Sequence, residues 1–379
     1  MLDRYLIQGG TLISLTDGAE RQADILVEHG KIARIAAQIP ADGAERIDAS
    51  GMYVSPGWLE AHCHFACPGG DFSIDPTRDL LCQGITYTVD MGTLGPANYE
   101  ACRKAHLYES DLRFRCYLNI SEYGIQGTQK PMDFEGPQDI VPEHVISVAE
   151  AFRPELLGLK ARIDDKFCFD PVYVMDRLRE LGDRLQMPIA VHAPRSRIGI
   201  EKLLTYMKKG DVLCHTLAGN SEVMSVLDAQ GQIKPCVLAA RERGVIFDLS
   251  HGTNAYSYDT AEAAWKVGFF TDTISSDLHK RNVNGPVFNL GVILTKMRGL
   301  TGKPWWWLLE KAIVQPVKLQ QIPGKEIEIR EGADADLTVF RIAQGEFSYP
   351  DSKKESRTFH EKAEAIYTCV GEKVYACRA

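Results

Sequence analysis

Between residues 57 and 277 the chain repeats one pattern eight times: a short apolar run, a polar or ionisable residue closing it, then a longer stretch of helical period. The runs are GWLEAHCH, ITYTVDM, RCYLNIS, LLGLKAR, PIAVHA, DVLCHT, VIFDLSHG and DTISSD, spaced about 25 to 40 residues apart. Segments such as PVYVMDRLRELGDRLQ and TAEAAWKVG fill the gaps. Strands that alternate with helices pair in parallel, because each crossover returns the chain to the same end of the sheet. Eight such units meet the requirement of an α/β fold of the (β/α)8 TIM barrel type. An open doubly wound sheet would alternate in the same way, but the first strand-to-helix gap carries no G-x-G-x-x-G turn.

The pattern changes at both ends. YLIQGGTLIS, ADILVEHGKIARIAA and ERIDASGMYVSPG at the start, and ADADLTVFRI and AEAIYTCVGEKVYACRA at the finish, are short apolar runs broken by turn residues. ILVEHGKIARI reads as a hairpin turning at His29–Gly30, and a second turn falls at Gly371–Glu372. The expected organisation is a small β-sandwich domain formed by both termini, residues 1–53 with 325–379, around a barrel over 54–324. A chain of 379 residues is long enough for both. The formal net charge of −8 provides no broad cationic surface, so neither nucleic acid nor an anionic membrane is expected as a partner. No run approaches the ~20 apolar residues of a membrane span, and MLDRYLIQGG has no leader pattern, so a cytoplasmic protein is expected. The ten cysteines are scattered, with neither C-x-x-C nor zinc-finger spacing, and read as reduced thiols.

In such a barrel the C-terminal strand ends form one rim, where residues distant in sequence converge. The residues at those ends are His62 and His64, Asp90, Lys160, His192, His215, His251 and Asp277. One histidine closing a strand is more often a satisfied structural group, but several, with a lysine and an aspartate, are hard to obtain from packing alone. Strand alternation puts His62 and His64 on one face and turns Cys63 to the other, where it packs outward against a helix. Paired imidazoles suit a borderline divalent metal such as zinc. Lys160 stays open at this level: an ammonium has no lone pair and is repelled by cations. It is therefore a satisfied ion pair, a Schiff-base former, or a modified group such as a carbamate, which would be anionic and able to bridge two metals.

Taken in order, these stretches resemble the amidohydrolase superfamily of metal-dependent hydrolases over essentially the whole chain, and within it the deacetylase-like branch related to dihydroorotases. SPGWLEAHCHF, GITYTVDMG, GLKAR, AVHAP, LCHTLAGN, DTISSDLH and REGADADLTVF carry the resemblance. It implies two divalent metal ions, zinc by expectation, one held by His62, His64 and Asp277 and the other by His192 and His215. It also implies N6-carboxylysine at Lys160, bridging both ions together with a hydroxide. In that arrangement the cations lower the pKa of the bridging water, and Asp277 passes the proton of the attacking hydroxide to the leaving group.

For this branch the resemblance implies cleavage of an acyl amide or ester of a small carboxylated substrate. Arg195 in HAPRSR, and Lys280 and Arg281 in SDLHKRN, are the cations placed to meet a carboxylate, and each could equally be a loop charge. A smaller polar residue is more usual in the branch where KRN follows DLH. His251 and Asn254 in LSHGTNAYSY are either substrate contacts or structural hydrogen-bonding groups. His279 either orients Asp277 or a ligand, or belongs to its loop. Asp90 supports the rim; Asp75 and Pro76 cap and open a helix. His106, His144 and His360 read as surface residues, and PWWWLLEKA as a core helix or a contact in a homo-oligomer. Three alternatives are weighed: a cyclic amidohydrolase of the dihydroorotase or hydantoinase type, a purine deaminase, and a catalytically silent scaffold. Lys160 argues against the deaminase, and the complete ligand set argues against the scaffold.

Overall fold

The computed structural model describes residues 2–67, 70–104, 110–126 and 132–377. Strand β1 (Arg4–Ile13) pairs antiparallel with β2 (Glu20–Glu28), and β2 with β3 (Lys31–Ala36). The β2–β3 turn is His29–Gly30, with φ of 49° and 73°, the left-handed pair that a tight hairpin of this hand demands. A bulge between Ile7 and Gly10 bends β1, so that β4 (Glu45–Asp48) and β5 (Tyr53–Pro56) run parallel to different parts of it.

At Gly57 the chain leaves this sheet and enters the barrel. Strands β6 (Trp58–Cys63), β7 (Ile85–Met91), β8 (Arg113–Asn119), β9 (Leu156–Arg162), β10 (Ile189–His192), β11 (Val212–Leu213) and β12 (Ile246–Phe247) pair in parallel in chain order. The eighth run, DTISSD, is not a regular strand. Two isolated parallel bridges, Asp248 with Thr273 and Cys63 with Leu278, close the ring there. The Leu249 N–H donates to Thr273 O at 3.1 Å and the His64 N–H to Leu278 O at 3.0 Å. The irregularity has a local cause: Ser250 and Asp277 stand at φ of 40° and 53°, a conformation that no extended strand holds. The Thr273, Ser275 and Ser276 hydroxyls are meanwhile engaged by the buried carboxylates Asp248 and Glu60.

The helices follow from their apolar periods. Helix Pro171–Leu185 opens on Asp170, whose carboxylate accepts from the Val172 and Tyr173 N–H groups, and buries Val174, Met175, Leu178, Leu181 and Leu185. Asp75 caps Pro76–Asp79 as the sequence suggests, accepting from the Arg78 N–H at 2.7 Å. In PWWWLLEKA the helix Trp305–Leu309 buries Leu308 and Leu309, while Trp306 lies so close to Gly18 that an added Cβ there would sit 2.5 Å from its ring. That helix therefore serves as a joint between barrel and terminal sheet.

Strands β13 (Asp336–Pro350), β14 (Ser356–Val370) and β15 (Lys373–Ala376) complete the terminal sheet, in the order β15-β14-β13-β5-β1-β2-β3. The β14–β15 turn is at Gly371, φ 59°. Both termini thus build one unit, as expected. Hydrogen bonding through β5 makes it continuous, because β5 joins β1 on one side and β13 on the other. Its core is Tyr5, Ile7, Ile25, Val27, Val54, Leu337 and Val339. The sheet also runs through Pro56, beyond the boundary expected after residue 53.

Gly57 makes the crossing possible. A Cβ there would stand 2.1 Å from Asp336 Oδ1 and 2.2 Å from Thr86 Oγ1, and the other Asp336 oxygen is held by the fully buried Lys325 at 2.9 Å. The structure cannot yield without breaking that buried pair. Gly57→Ala is expected to destabilise the protein by about 2–3 kcal/mol, read as a lower midpoint in denaturant unfolding; an unchanged midpoint would contradict this account of the crossing.

Candidate metal centre

Strand β6 alternates Glu60, His62 and His64 onto one face, and all three are buried. Each imidazole is oriented by what its Nδ1 meets. His64 Nδ1 lies 2.9 Å from the Thr93 hydroxyl, which donates its own hydrogen to Asp90 Oδ2 at 2.7 Å. The hydroxyl has one hydrogen, so it accepts from His64 Nδ1–H, leaving Nε2 with a bare lone pair. His62 Nδ1 lies 3.0 Å from Ser250 Oγ, which donates to Asp248, so the same reasoning bares His62 Nε2. His215 Nδ1 meets the Ser250 carbonyl at 2.6 Å, and a carbonyl only accepts. Its Nε2 is buried without a hydrogen-bond partner.

The bare nitrogens converge on one carboxylate. His62 and His64 Nε2 lie 3.6 and 3.2 Å from Asp277 Oδ1, and His215 Nε2 lies 3.9 Å from Oδ2. Among the described residues, His62, His64 and Asp277 bring ligand atoms within 4.8 Å of one another. Burial, with the Lys160 charge, pushes the His62 imidazole down to about 4, and burial with the neighbouring His192 holds His215 well below its ordinary value. Burial alone would raise the Asp277 carboxyl; positive charge among His64, His62 and His215, whether carried by ring protons or by a cation in their place, holds it well below the usual range. Lone pairs of neutral imidazoles facing an ionised carboxylate repel unless a cation sits between them, so this donor set fits a divalent metal.

The second pair of histidines stands beside the first. The His192 and His215 rings are 4.3 Å apart, centroid to centroid, and His192 Nε2 is 3.5 Å from Asp164 Oδ2. Lys160 is buried at the end of β9, donating to Cys214 Sγ at 3.1 Å. Its charge depresses His62, His192 and His215 alike, so it stands among both histidine groups. Gly92, at φ 80°, leaves room for it: a Cβ there would be 2.6 Å from Lys160 Cβ. Gly252, at φ 58°, does the same for Asp277, where a Cβ would be 2.6 Å from Oδ2.

His64, His192 and Asp277 open onto a cavity of about 570 Å³. Arg195 and Asn254 line it; the Arg195 N–H donates to Asp164 Oδ1 at 2.6 Å. His251 does not reach the cavity lining. It is fully buried against Tyr256, with Nε2 3.0 Å from Lys296 Nζ and Nδ1 2.9 Å from Gly252 O. Lys280 is exposed and outside the lining, whereas Arg281 is in it, stacked over Phe72 at 4.5 Å. His279 lines the cavity and bonds Thr253 at 3.1 Å; the group that holds Asp277 is Asn282, donating to its carbonyl at 2.8 Å. Asp90 supports the rim as expected, accepting from the Phe65, Ala66 and Thr93 N–H groups. His144 pairs with Glu122 and His360 is exposed, while His106 lies outside the described residues.

Several groups were not anticipated. Arg162, two residues past Lys160, lines the cavity, bonds Asp133 in bidentate fashion and stacks over Phe167 at 4.0 Å. Glu60 accepts from the His62 and Ser276 N–H groups and from the Ser276 hydroxyl, with burial pushing its carboxyl up to about 8. Strand alternation is the signal that finds both: Glu60-x-His62-x-His64, and Lys160-x-Arg162-x-Asp164. Thr93 and Ser250 left no such signal.

A parallel barrel whose C-terminal rim gathers bare imidazole nitrogens around a carboxylate defines the class: a TIM-barrel enzyme with a metal-type centre. Comparison with known proteins is narrower. A family described as the deacetylase-like composite domain matches residues 329–376. A deacetylase of Enterococcus faecalis is 30% identical over 364 residues, spanning 93% of this chain and 95% of that protein. The solved structure of a dihydroorotase superposes with a TM-score of 0.89 at 25% identity, covering 99% of this chain and 98% of that one. An adenine deaminase structure does so at 0.87 and 27% identity, covering 98% and 99%. The chain belongs to the amidohydrolase superfamily, in its deacetylase-like branch related to dihydroorotases.

Thr93→Val keeps the shape of the side chain while removing the acceptor that fixes the His64 tautomer. Metal affinity is expected to fall about 10- to 100-fold, measured by competition with a chelator; wild-type affinity would show that the Asp90–Thr93–His64 relay does not orient the ligand.

Proposed function

We propose that this protein is a cytoplasmic hydrolase of an acyl amide or ester bond, deacetylase-like, acting on a small carboxylated substrate. The observation that carries the reading is the convergence of the His62, His64 and His215 Nε2 atoms on the buried Asp277 carboxylate. His62, His64 and Asp277 would hold one divalent ion, zinc by preference for this donor set, and His192 with His215 a second. Bound there, the ions supply Lewis acidity toward a carbonyl and lower the pKa of water.

The remaining work falls to the chain. Lys160 as an ammonium opposes cations beside it; once it gives up a proton, the neutral amine can add to carbon dioxide and release a second proton, and the resulting N6-carboxylysine would be an anion able to serve both ligand groups. Asp277, held ionised, accepts a proton at a carboxylate oxygen and returns it to the leaving group. Arg195 and Lys166 line the cavity with Arg162 and Arg281 and supply the cationic side that a substrate carboxylate needs. Phe72 and Phe167 hold the guanidinium groups of Arg281 and Arg162 in place by stacking. The substrate in this reading is a small molecule; separately, among the described residues no helix is long and apolar enough to cross a membrane.

The relatives named above cover different chemistries, so global fold does not choose between acyl cleavage, ring opening and deamination; products do. Metal-loaded protein offered N-acetyl amino acids and O-acetyl hydroxy acids is expected to release acetate. Opening of a cyclic amide without acetate release would instead assign the ring-hydrolase alternative. Asp277→Asn should keep most bound metal while turnover falls by a factor of about 100 to 10,000. Near-wild-type turnover in that variant would remove Asp277 as the proton carrier.

A further inference from the structure

Two thiols lie almost in contact. Cys67 and Cys102, 35 residues apart in the chain, place their Sγ atoms 3.5 Å from each other. Both side chains are half-buried, so a small oxidant can reach them, and both are free thiols. The surroundings fix each partner. The Cys67 N–H donates to Ser73 Oγ at 3.0 Å, within a segment that returns to the barrel through the Ile74 N–H bond to His64 O at 3.1 Å. Cys102 ends the helix Tyr99–Cys102, whose Tyr99 is fully buried.

The pair differs from the chain's five buried cysteines. Cys63, Cys116, Cys168, Cys214 and Cys369 are buried, and burial raises every one of their thiols, to about 11 for Cys214 and about 12 for Cys168 and Cys369. Those side chains are inert toward thiol exchange, because the thiolate is the reacting form. Between Cys67 and Cys102 one shared hydrogen bond favours ionisation of a single partner, because the remaining thiol stabilises the thiolate beside it.

We propose that Cys67 and Cys102 form a redox-closing dithiol, a reversible disulfide site addressed by low-molecular-weight disulfides. The thiolate of the pair attacks one sulfur of the oxidant disulfide, forming a mixed disulfide and releasing one thiol. The second protein sulfur then attacks the first, forming the internal bond and releasing the second thiol. Two protein thiols lose two electrons and two protons, and one oxidant disulfide gains them as two thiols. The bond of about 2.05 Å requires the sulfurs to approach from van der Waals contact, a side-chain adjustment rather than a rearrangement of the fold. When closed, it ties the segment carrying Phe72, whose ring lies 5.0 Å from His279, to the helix that follows β7.

The test is peptide mapping of the full-length, metal-loaded protein under non-reducing conditions after incubation with glutathione disulfide. The expected product is a peptide linking Cys67 to Cys102, lost on treatment with dithiothreitol. In Cys102→Ser, Cys67 should carry no cross-link to any other cysteine. Wild-type protein in which both residues stay free, or carry glutathione separately, would overturn the proposal, as would a Cys67 cross-link persisting in the variant.

Discussion

The structure depends on a repulsion that it holds in place. Three imidazoles present nitrogens to the Asp277 carboxylate at 3.2 to 3.9 Å, with all four side chains buried. Such an arrangement costs folding free energy in the empty chain and recovers it when a cation binds, since low polarity strengthens the attraction as much as the repulsion. The groups behind the ligands keep it from relaxing. The Asp248 carboxylate, fixed by Thr273, Ser275 and Ser250, prevents His62 from turning over, and Asp90 through Thr93 does the same for His64.

The irregular closure of the barrel belongs to the same constraint. A regular eighth strand would send its backbone groups to β6 and β12 and point alternate side chains to opposite faces. Here left-handed backbone at His215, Ser250 and Asp277 turns the strand ends so that their side chains or carbonyls meet at one place. Residues held in that region are strained by roughly 1 to 3 kcal/mol each and persist where surrounding contacts determine them. The terminal sheet and the Trp306–Gly18 joint supply rigid backing at a distance from the chemistry.

Much of this was legible in the sequence, and the reasons are specific. The barrel could be read because seven of its strands are short apolar runs with a period that helices interrupt, and His62 and His64 because two-residue alternation is a local rule. Lys160, His192, His215 and Asp277 could be read because each closes such a run, and the family resemblance set their order. The eighth strand was misread as regular because its polarity serves Glu60 and Asp248, contacts that lie on other strands. His251 closes an apolar run too, but the positive φ of Ser250 just before it turns the side chain toward Lys296, and nothing in LSHG announces that torsion. Lys280 and Arg281 are adjacent cations in one loop, and only the stacking of Arg281 on Phe72 decides which enters the cavity. The terminal β segments showed their hairpins but not that β5 would join them into one sheet.

The central claim is that the rim of this barrel is a two-metal site rather than a polar core. It is tested most directly by diffraction from crystals of the purified protein at the zinc absorption edge. The account predicts two anomalous peaks at the rim, one among His62, His64 and Asp277 and one beside His192 and His215, with added density on Lys160 Nζ joining them. A rim without anomalous signal after growth in zinc, and an unmodified Lys160 bonded to Cys214, would contradict it.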